Sequence, residues 1–358
     1  MSVDHHKKPF SQETIAKLEI FEDYARAWLP TFVMVGHTRV AIFDLFAGQG
    51  YDSDGVPGSA IRLLETVKSQ IGNILTRGVK VELRLNEYKR YKYDLLKKAC
   101  DQYLAENPDV ARAVELHITN LDFAESFQRL SPSFGKTPSL VLLDQSGIKA
   151  VGQEYFAEFA KKAYTDFLYF VSSSYFWRFG DKEEFKTYLD LNLEEARQNP
   201  YASIHRQILD KIKEALPSGS PLMLYPFSIK KGANINGIIF GATHVAAVDK
   251  FLRIAWNRNA TNGEANFDIH DDAGKTQPDL WGNKPLTKIE LFQRDFRKGV
   301  LDGIIVTNED ALKYAYSRGH VGTHAADELK KMKSEDLISF EGNSPLVTYE
   351  KVFKSGSR

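Results

Sequence analysis

The chain has 358 residues, 43% of them hydrophobic and 26% charged, with 47 basic side chains balancing 47 acidic ones. This composition predicts a globular protein with room for one large and one small domain, and zero net charge excludes a global basic field for nucleic acid. The single cysteine, Cys100, excludes an intramolecular disulfide and a multi-cysteine metal site. The first ten residues have no apolar signal core, and no run approaches the roughly 20 apolar residues that cross a bilayer. We therefore expect a soluble, cytoplasmic protein without a membrane segment.

The chain begins with a predicted helix. From Ser11 to about Met34, apolar residues recur every three or four positions, and Ser11 suits the N-cap. One buried stripe of this helix would pack on a sheet. We assign residues 1–38 to it.

The stretch from Val40 to Ser59 predicts a strand, a glycine turn, a loop and the start of a helix. The strand ends at Asp44, and a backbone without Cβ atoms can approach a ligand closely at the turn that follows. That turn consists of Ala47, Gly48, Gln49 and Gly50. A nucleoside ligand is the general expectation at the carboxyl end of a first parallel strand. The turn does not match GxGxxG, and a plain tight turn is the alternative.

Acidic residues follow the next two predicted strands. Glu87 comes just after the alternating strand 79–85, where an acid can accept hydrogen bonds from both ribose hydroxyls of a nucleotide. A solvated acid before a helix is the alternative. Asp122 follows the strand 114–118 and is a candidate either for an adenine amino group or for a helix N-cap.

The strongest buried-strand signal is the apolar run PSLVLL, from Pro138 to Leu143. It ends in Asp144, Gln145 and Ser146, which would face the same cleft as the glycine turn. A fifth strand is predicted over residues 165–173. Because strands and helices alternate five times, the sequence predicts an α/β protein with a Rossmann-like, doubly wound sheet over residues 39–260.

The next segments close this domain and leave it. Residues 222–229 and 237–243 read as the last strands. Residues 261–286 are polar and rich in Gly, Asn and Asp, which predicts a linker or exposed loop. Within this segment His270 and its neighbours are interpreted as a turn, and no metal site is predicted.

Residues 287–358 predict three helices and a hairpin, the pattern of a winged helix. The hairpin would pair two short strands within 338–353. The third helix would point Thr323, His324, Lys330 and Lys331 outward as a nucleic-acid-binding face. Protein contact, or packing against the first domain, is the alternative, because this module carries little net charge.

A glycine turn with one acid after the second strand and another after the third is the layout of a methyltransferase that uses S-adenosylmethionine. The cofactor-binding residues are then predicted to be Asp44, Phe46, Ala47, Gly48, Gly50, Glu87 and Asp122.

Four segments carry a resemblance to a known family: 17–30 (KLEIFEDYARAWLP), 43–59 (FDLFAGQGYDSDGVPGS), 140–147 (LVLLDQSG) and 165–179 (TDFLYFVSSSYFWRF). With these the chain resembles the three-Cys-motif partner proteins. The resemblance implies a Rossmann-type methyltransferase fold and a separate partner protein bearing three cysteines. It also exposes two departures, since the family usually carries DGFAGPG and DPFG where this chain has DLFAGQG and DQSG.

The second departure bears on catalysis. Enzymes that methylate an exocyclic amino group hold the flipped base with an acid or amide, two prolines and an aromatic residue. Here Asp144 remains, but Gln145 stands in the proline position and Gly147 in the aromatic one. Asp144 would accept a hydrogen bond or proton from the amine, and Gln145 and Ser146 would add contacts. Methylation of a cytosine carbon is disfavoured because Cys100 lies on the wrong element.

Two functions of different classes follow. The first is a methyltransferase that acts on nucleic acid, DNA rather than RNA. The second is a non-catalytic nucleic-acid-binding or assembly protein that keeps the fold. Other activities in host defence or mobile elements, including a nuclease-like one, are the remaining alternative.

Overall fold

A computed structural model describes residues 9–145, 153–179, 191–276 and 285–354 of the chain. The chain divides into two compact units, Met1–Ala247 and Val248–Arg358.

Unit 1 is built on a seven-stranded sheet. Its strands are β1 (Arg39–Asp44), β2 (Lys80–Asn86), β3 (Val114–Thr119), β4 (Ser139–Gln145), β5 (Thr165–Val171), β6 (Met223–Lys231) and β7 (Asn234–Ala242). They lie in the order β3-β2-β1-β4-β5-β7-β6. The first five are parallel, and β7 runs antiparallel to both β5 and β6. The predicted Rossmann-like α/β class is confirmed.

The helices of this unit connect and cover the strands. They are α1 (Gln12–Val35), α2 (Ser59–Ser69), α3 (Ile71–Thr76), α4 (Arg90–Glu106), α5 (Pro108–Ala113), α6 (Phe123–Leu130), α7 (Gln153–Ala160), α8 (Ser173–Phe179), α9 (Leu193–Gln198) and α10 (Ile204–Ala215). The central strands are covered on both faces, because every residue of β5 and all but the first of β1 are buried. Continuous apolar runs are what such a position requires.

The strand order reverses between β1 and β4. From β1 the chain winds outward to β2 and β3, then returns to place β4 on the other side of β1. In open α/β sheets, ligands bind outside the carboxyl ends of the strands at such a reversal. Asp44 ends β1, and Asp144 is the penultimate residue of β4, so the two acids flank this point.

Helix α1 packs on the sheet as predicted. The Ser11 side chain accepts a hydrogen bond from the Thr14 N–H and caps the helix. Tyr24 and Trp28 are buried, and the Tyr24 hydroxyl donates to Asp166 Oδ2 at 2.7 Å. This hydrogen bond links α1 to the start of β5, where Asp166 is the second residue.

Unit 2 is helical over the residues that the structure describes. It contains most of α11 (Val245–Arg258), followed by α12 (Lys288–Leu301), α13 (Asn308–Ser317), α14 (Gly322–Ser334) and α15 (Tyr349–Phe353). Capping boxes start α12, at Thr287 and Glu290, and α13, at Thr307 and Asp310. Each box satisfies two backbone donors that a helix start leaves open.

The predicted winged helix is only partly present. Its three helices form, but none of residues 285–354, all of which the structure describes, lies in a strand. Residues 349–353 are helical instead. The segment that was expected to pair passes over Gly322, where an added Cβ would lie 2.2 Å from the Val347 carbonyl oxygen. Val347 is itself buried, so packing on α14 replaces strand pairing.

Over the described part of 261–286, the segment predicted as a linker or exposed loop, the chain lies in turns, and several of its residues are buried. Residues 259–276 fold as a set of turns within unit 2. The Asn262 carboxamide oxygen accepts from the N–H groups of Glu264 and Ala265, and its Nδ2 donates to the Phe267 carbonyl. Asn262 and Ala265 are fully buried. The polar side chains of this segment hydrogen-bond to its own backbone and so stabilise its turns.

Among the described helices, not one combines the length and apolar character that crossing a membrane would need.

Candidate functional site at the carboxyl edge of the sheet

Asp44 is a buried carboxylate at the end of β1, with 2% of its surface exposed. Its Oδ1 accepts a hydrogen bond of 3.0 Å from the Phe46 N–H, whereas its Oδ2 is buried without a hydrogen-bond partner. Burial raises the pKa of Asp44 to about 6. The nearby Ser59 side chain, the Phe46 N–H and the Lys17 ammonium oppose this rise, whereas the Asp144 carboxylate adds to it. An orphaned buried oxygen of this kind is an unmet demand for a donor or a cation.

The glycine turn follows directly and has the conformation that its residues permit. Gly48 and Gly50 have φ of 69° and 94°, in the left-handed region that suits glycine. The Ala47 N–H donates to the Asn86 carbonyl at 2.9 Å, which fixes the turn to the end of β2. A Cβ on Gly50 would lie 2.7 Å from the Ala99 Cβ, so α4 packs directly on the turn.

The loop after the turn is held by Asp52. Its Oδ1 accepts from the N–H groups of Asp54 and Val56, and its Oδ2 accepts from the Phe10 N–H at 2.7 Å. The loop closes when the Gly58 N–H donates to the Gly50 carbonyl at 2.7 Å. One buried carboxylate thus organises the loop and fastens the segment before α1 to it.

Glu87 lies at the end of β2 and is 9% exposed. Its Oε2 accepts from the Gly48 N–H at 3.1 Å and its Oε1 from the Lys89 N–H at 2.8 Å. Sequence reasoning placed Glu87 and the glycine turn in one site, and the structure joins them by a direct hydrogen bond. A carboxylate has about four acceptor positions, so both oxygens can accept again from a ligand.

Asp122 occupies the N-cap of α6, the alternative weighed for it from the sequence. It is exposed, and its Oδ1 accepts from the Glu125 N–H at 2.8 Å. Phe46, at the glycine turn, stacks on Phe123 in the first turn of the same helix, with ring centroids 5.2 Å apart. A contact of Asp122 with an adenine amino group stays a prediction.

Asp144 carries the principal contact that the sequence did not reveal. The Lys17 ammonium, from α1, donates to its Oδ2 and forms an ion pair with it. Lys17 is only 6% exposed, and its Nζ lies 4.8 Å from the centroid of the Phe170 ring. No local pattern signals this pair because the two residues are 127 positions apart.

Gln145 is the last residue of β4, and Ser146 lies outside the described residues. A polar network lies at the end of the neighbouring strand β5. The Asn236 Oδ1 of β7 accepts from the Ser173 N–H at 2.6 Å and from its hydroxyl at 2.9 Å. Asn236 Nδ2 donates to Glu13 of α1. Helix α1 therefore contacts both β4 and β7 through polar side chains at this edge.

Cys100 is buried in α4, and burial raises the pKa of its thiol to about 12. This agrees with its exclusion as a nucleophile.

In unit 2 the predicted outward face of α14 is divided. Thr323, Lys330 and Lys331 are exposed, but His324 is half-buried and points into an aromatic cluster. Its ring centroid lies 4.3 Å from that of Trp256, and its Nδ1 is 2.9 Å from the Nδ1 of His320. The prediction that His324 faces outward is therefore wrong.

The two lysines of this face are paired along their own helix. The Lys330 Nζ lies 3.2 Å from Asp327 Oδ1, and the Lys331 Nζ lies 3.6 Å from Glu328 Oε2. The Lys331 Nζ also donates to Gln293 Oε1 at 2.9 Å. Their positive charge is largely offset within the helix.

No protein-family model matches the chain, and no curated protein matches it. Fifteen chains of solved structures are similar to it. One is a candidate class I S-adenosylmethionine-dependent methyltransferase from Listeria monocytogenes, with a TM-score of 0.30 and 10% identity. The similarity covers 67% of this chain and 62% of that one.

Proposed function

We propose that this chain is a methyltransferase-like protein that binds S-adenosylmethionine at the carboxyl edge of β1 and β2. The observation that supports this most is Asp44 Oδ2, a buried carboxylate oxygen without a hydrogen-bond partner beside the reversal of strand order. The amino group of the cofactor's methionine part is a donor and a cation, which is what such an oxygen lacks.

The other residues suit the remaining parts of the same ligand. Glu87 keeps acceptor positions for two ribose hydroxyls, and it is already hydrogen-bonded to Gly48. The Cβ-free backbone at Gly48 and Gly50 would let the ligand lie close to the turn. Phe46 offers a half-buried aromatic surface, backed by Phe123.

When bound, S-adenosylmethionine supplies a methyl group activated by its sulfonium centre. Asp144 lies across the reversal of strand order from Asp44, on the neighbouring strand. Its carboxylate would accept a hydrogen bond from an acceptor amine and orient that amine's lone pair. Lys17 contacts Oδ2 of this carboxylate, so the amine would use one of the remaining acceptor positions.

This ion pair is the observation that favours a second candidate, a non-catalytic protein that keeps the fold and the cofactor. In this candidate the role of Asp144 is to pair with the Lys17 ammonium rather than to orient an acceptor amine. Cofactor binding would persist, and methyl transfer would be absent.

The acceptor that we propose is a nucleic acid, DNA before RNA. The exposed Thr323, Lys330 and Lys331 of α14 support it. Because both lysines are paired within their helix and few phosphate contacts are available, we expect weak binding with a shallow dependence on salt. A separate three-cysteine protein as partner is proposed on the family resemblance, and we propose the same cytoplasmic location as the sequence predicts.

Calorimetry with S-adenosylmethionine tests the binding claim. We expect wild type to bind, and Asp44→Asn and Glu87→Gln each to bind at least about tenfold more weakly, as expected when one charge-assisted contact is lost. Glu82→Gln is the matched control on β2, since Glu82 pairs with Arg39 and Arg84. No binding by wild type, or equal affinity in all four proteins, would contradict the proposal.

Transfer of a labelled methyl group to DNA and RNA then separates the two candidates. Transfer that disappears in Asp144→Ala identifies an enzyme. Cofactor binding without transfer to either acceptor supports the non-catalytic protein.

A further inference from the structure

The N-terminal helix places a buried cation at the candidate site. Lys17 projects from α1, pairs with Asp144 of β4 and lies over the Phe170 ring of β5. At 6% exposed, its ammonium is well shielded from water. A lysine held in this way has a fixed charge at a fixed place, and its electrostatic effect on neighbours is little screened by solvent.

The neighbour of interest is Asp44. Two carboxylates from adjacent strands, Asp44 and Asp144, lie at one edge of the sheet. Asp44 has almost no contact with water and an oxygen without a hydrogen-bond partner, so it has little to stabilise its charged form. A second negative charge nearby disfavours that form further.

We infer that Lys17 is a positioning residue which keeps Asp44 ionised by neutralising Asp144 and by supplying positive charge itself. The chain thereby uses its N-terminal helix to hold the candidate cofactor site in the charge state that would bind an ammonium group. Lys17 is not among the cofactor-binding residues predicted from the sequence.

The electrostatics of Asp44 agree with this geometry. The pKa of Asp44 is raised to about 6, with burial as the largest cause and the Asp144 carboxylate adding to the rise. The side chain of Ser59 of α2, the Phe46 N–H and the Lys17 ammonium of α1 oppose the rise. These groups lie on α1, α2 and β4 and directly after β1. Lys17 is the cation among them.

The consequence for ligand binding rests on the proposed function, whereas the charge state of Asp44 does not. Only the ionised form would attract the ammonium of the cofactor. The apparent affinity is then the affinity of the ionised form multiplied by the fraction of molecules in which Asp44 is ionised.

The test is an NMR titration of the ligand-free full chain, with the carboxyl carbons of Asp labelled and the Asp44 signal assigned from Asp44→Asn. Wild type should titrate with a midpoint near 6. Lys17→Met should move that midpoint upward by at least about half a pH unit, the scale expected when a nearby opposite charge is lost. Asp144→Asn should move it downward, because the repulsion disappears while Lys17 stays.

Opposite shifts in these two variants are the diagnostic result, because a general loosening of the site would move both in the same direction. Lys17→Arg keeps the charge and should titrate like wild type. If Lys17→Met does not fold, the comparison is between Asp144→Asn and the double variant Lys17→Met/Asp144→Asn. The Asp44 midpoint should then lie at a lower pH in Asp144→Asn, which keeps the lysine, than in the double variant. Unchanged midpoints in folded variants would overturn the inference.

Cofactor binding provides the second readout. If wild type binds S-adenosylmethionine, a midpoint raised to about 7 makes Lys17→Met about threefold weaker at pH 6.5, whereas the two proteins bind equally at pH 8.5. Shifted midpoints without any binding would sink the proposed function and leave the role of Lys17 intact. Binding with unshifted midpoints would do the reverse.

Discussion

At the scale of single residues, Asp44 has the features of a ligand-binding group and also lowers the stability of the folded chain. A buried carboxylate with one unpartnered oxygen destabilises the folded chain whenever it is charged. Proteins retain such groups where a ligand uses them. Asp44 was identifiable from the sequence, as the polar residue that ends an apolar strand before a glycine turn. Its partner Lys17 was not, since a contact over 127 positions leaves no trace in local periodicity.

The cost can be measured. The folded pKa of Asp44, about 6, lies above its ordinary value of 3.8, so the folded state holds a proton between these values that the unfolded state has lost. The stability that this proton gives is complete below about pH 4 and is lost as pH rises through 6. Asp44→Asn removes the charge, so we expect the variant to be about 1–3 kcal/mol more stable than wild type at pH 8.

Urea unfolding at pH 8 and at pH 4 measures this difference. The gain should shrink towards zero at pH 4, where wild-type Asp44 is also neutral. A variant that is less stable than wild type at pH 8 would show instead that Asp44 serves the fold. Higher stability together with weaker cofactor binding is the signature of a group kept for function.

At the scale of elements, local sequence predicts what local physics determines. The run PSLVLL predicted β4, and the acids after β2 and β3 predicted where those strands end. The hairpin expected within 338–353 failed for a non-local reason. Its apolar residue Val347 is buried against Gly322, and the absent side chain there is what admits it. The chain bends at Gly342, where φ is 72°, but the pairing of the flanking segments is not encoded in that signal.

The glycine turn gives a prediction at this scale. Gly50 has a positive φ and also meets Ala99 of α4 at 2.7 Å, whereas Gly55 of the following loop has φ 79° and nothing within 4 Å of its Cβ position. Alanine at Gly55 should cost about 1 kcal/mol, because only the left-handed backbone resists it. Alanine at Gly50 should cost about 2–4 kcal/mol, because α4 must also shift.

Chemical denaturation of the two variants measures both costs. Ala99→Gly removes the clashing carbon, so adding it to Gly50→Ala should recover part of the loss. Its own helix penalty is about 1 kcal/mol. Equal costs at Gly50 and Gly55 would mean that α4 yields freely and that the turn is not held by packing.

At the scale of the whole molecule, the two units contain buried titratable groups with opposite consequences for acid stability. Asp44 of unit 1 takes up a proton more readily when folded. In unit 2, His320 and His324 do the reverse. The pKa of His320 is lowered to about 2 and that of His324 to about 4, with burial as the largest cause for both. Lys288 contributes to both shifts, and Asp327 opposes the shift of His324. His320 also stacks on Phe292, with ring centroids 4.1 Å apart.

Their signs can be summed between pH 6 and pH 4. Each histidine is neutral when folded but charged when unfolded in this range, so each lowers the free energy of unfolding by about 1.4 kcal/mol for every pH unit of acidification. Asp44 raises it by the same amount. Because His324 is partly exposed, we discount its share. The net result should be a free energy of unfolding that falls by roughly 1 kcal/mol for every pH unit of acidification.

Unfolding of the full chain by urea, repeated from pH 7 to pH 4, measures this slope. His320→Phe/His324→Leu should make this slope less steep, since Asp44 remains and opposes the carboxylates whose pKa is lowered, such as Asp268 and Glu335. A slope that the double substitution leaves unchanged would place the acid sensitivity in other groups. Because protonation of unit 2 opposes that of unit 1, the pH of greatest stability should lie above the pKa of Asp44, where that carboxylate is charged and able to bind a cation.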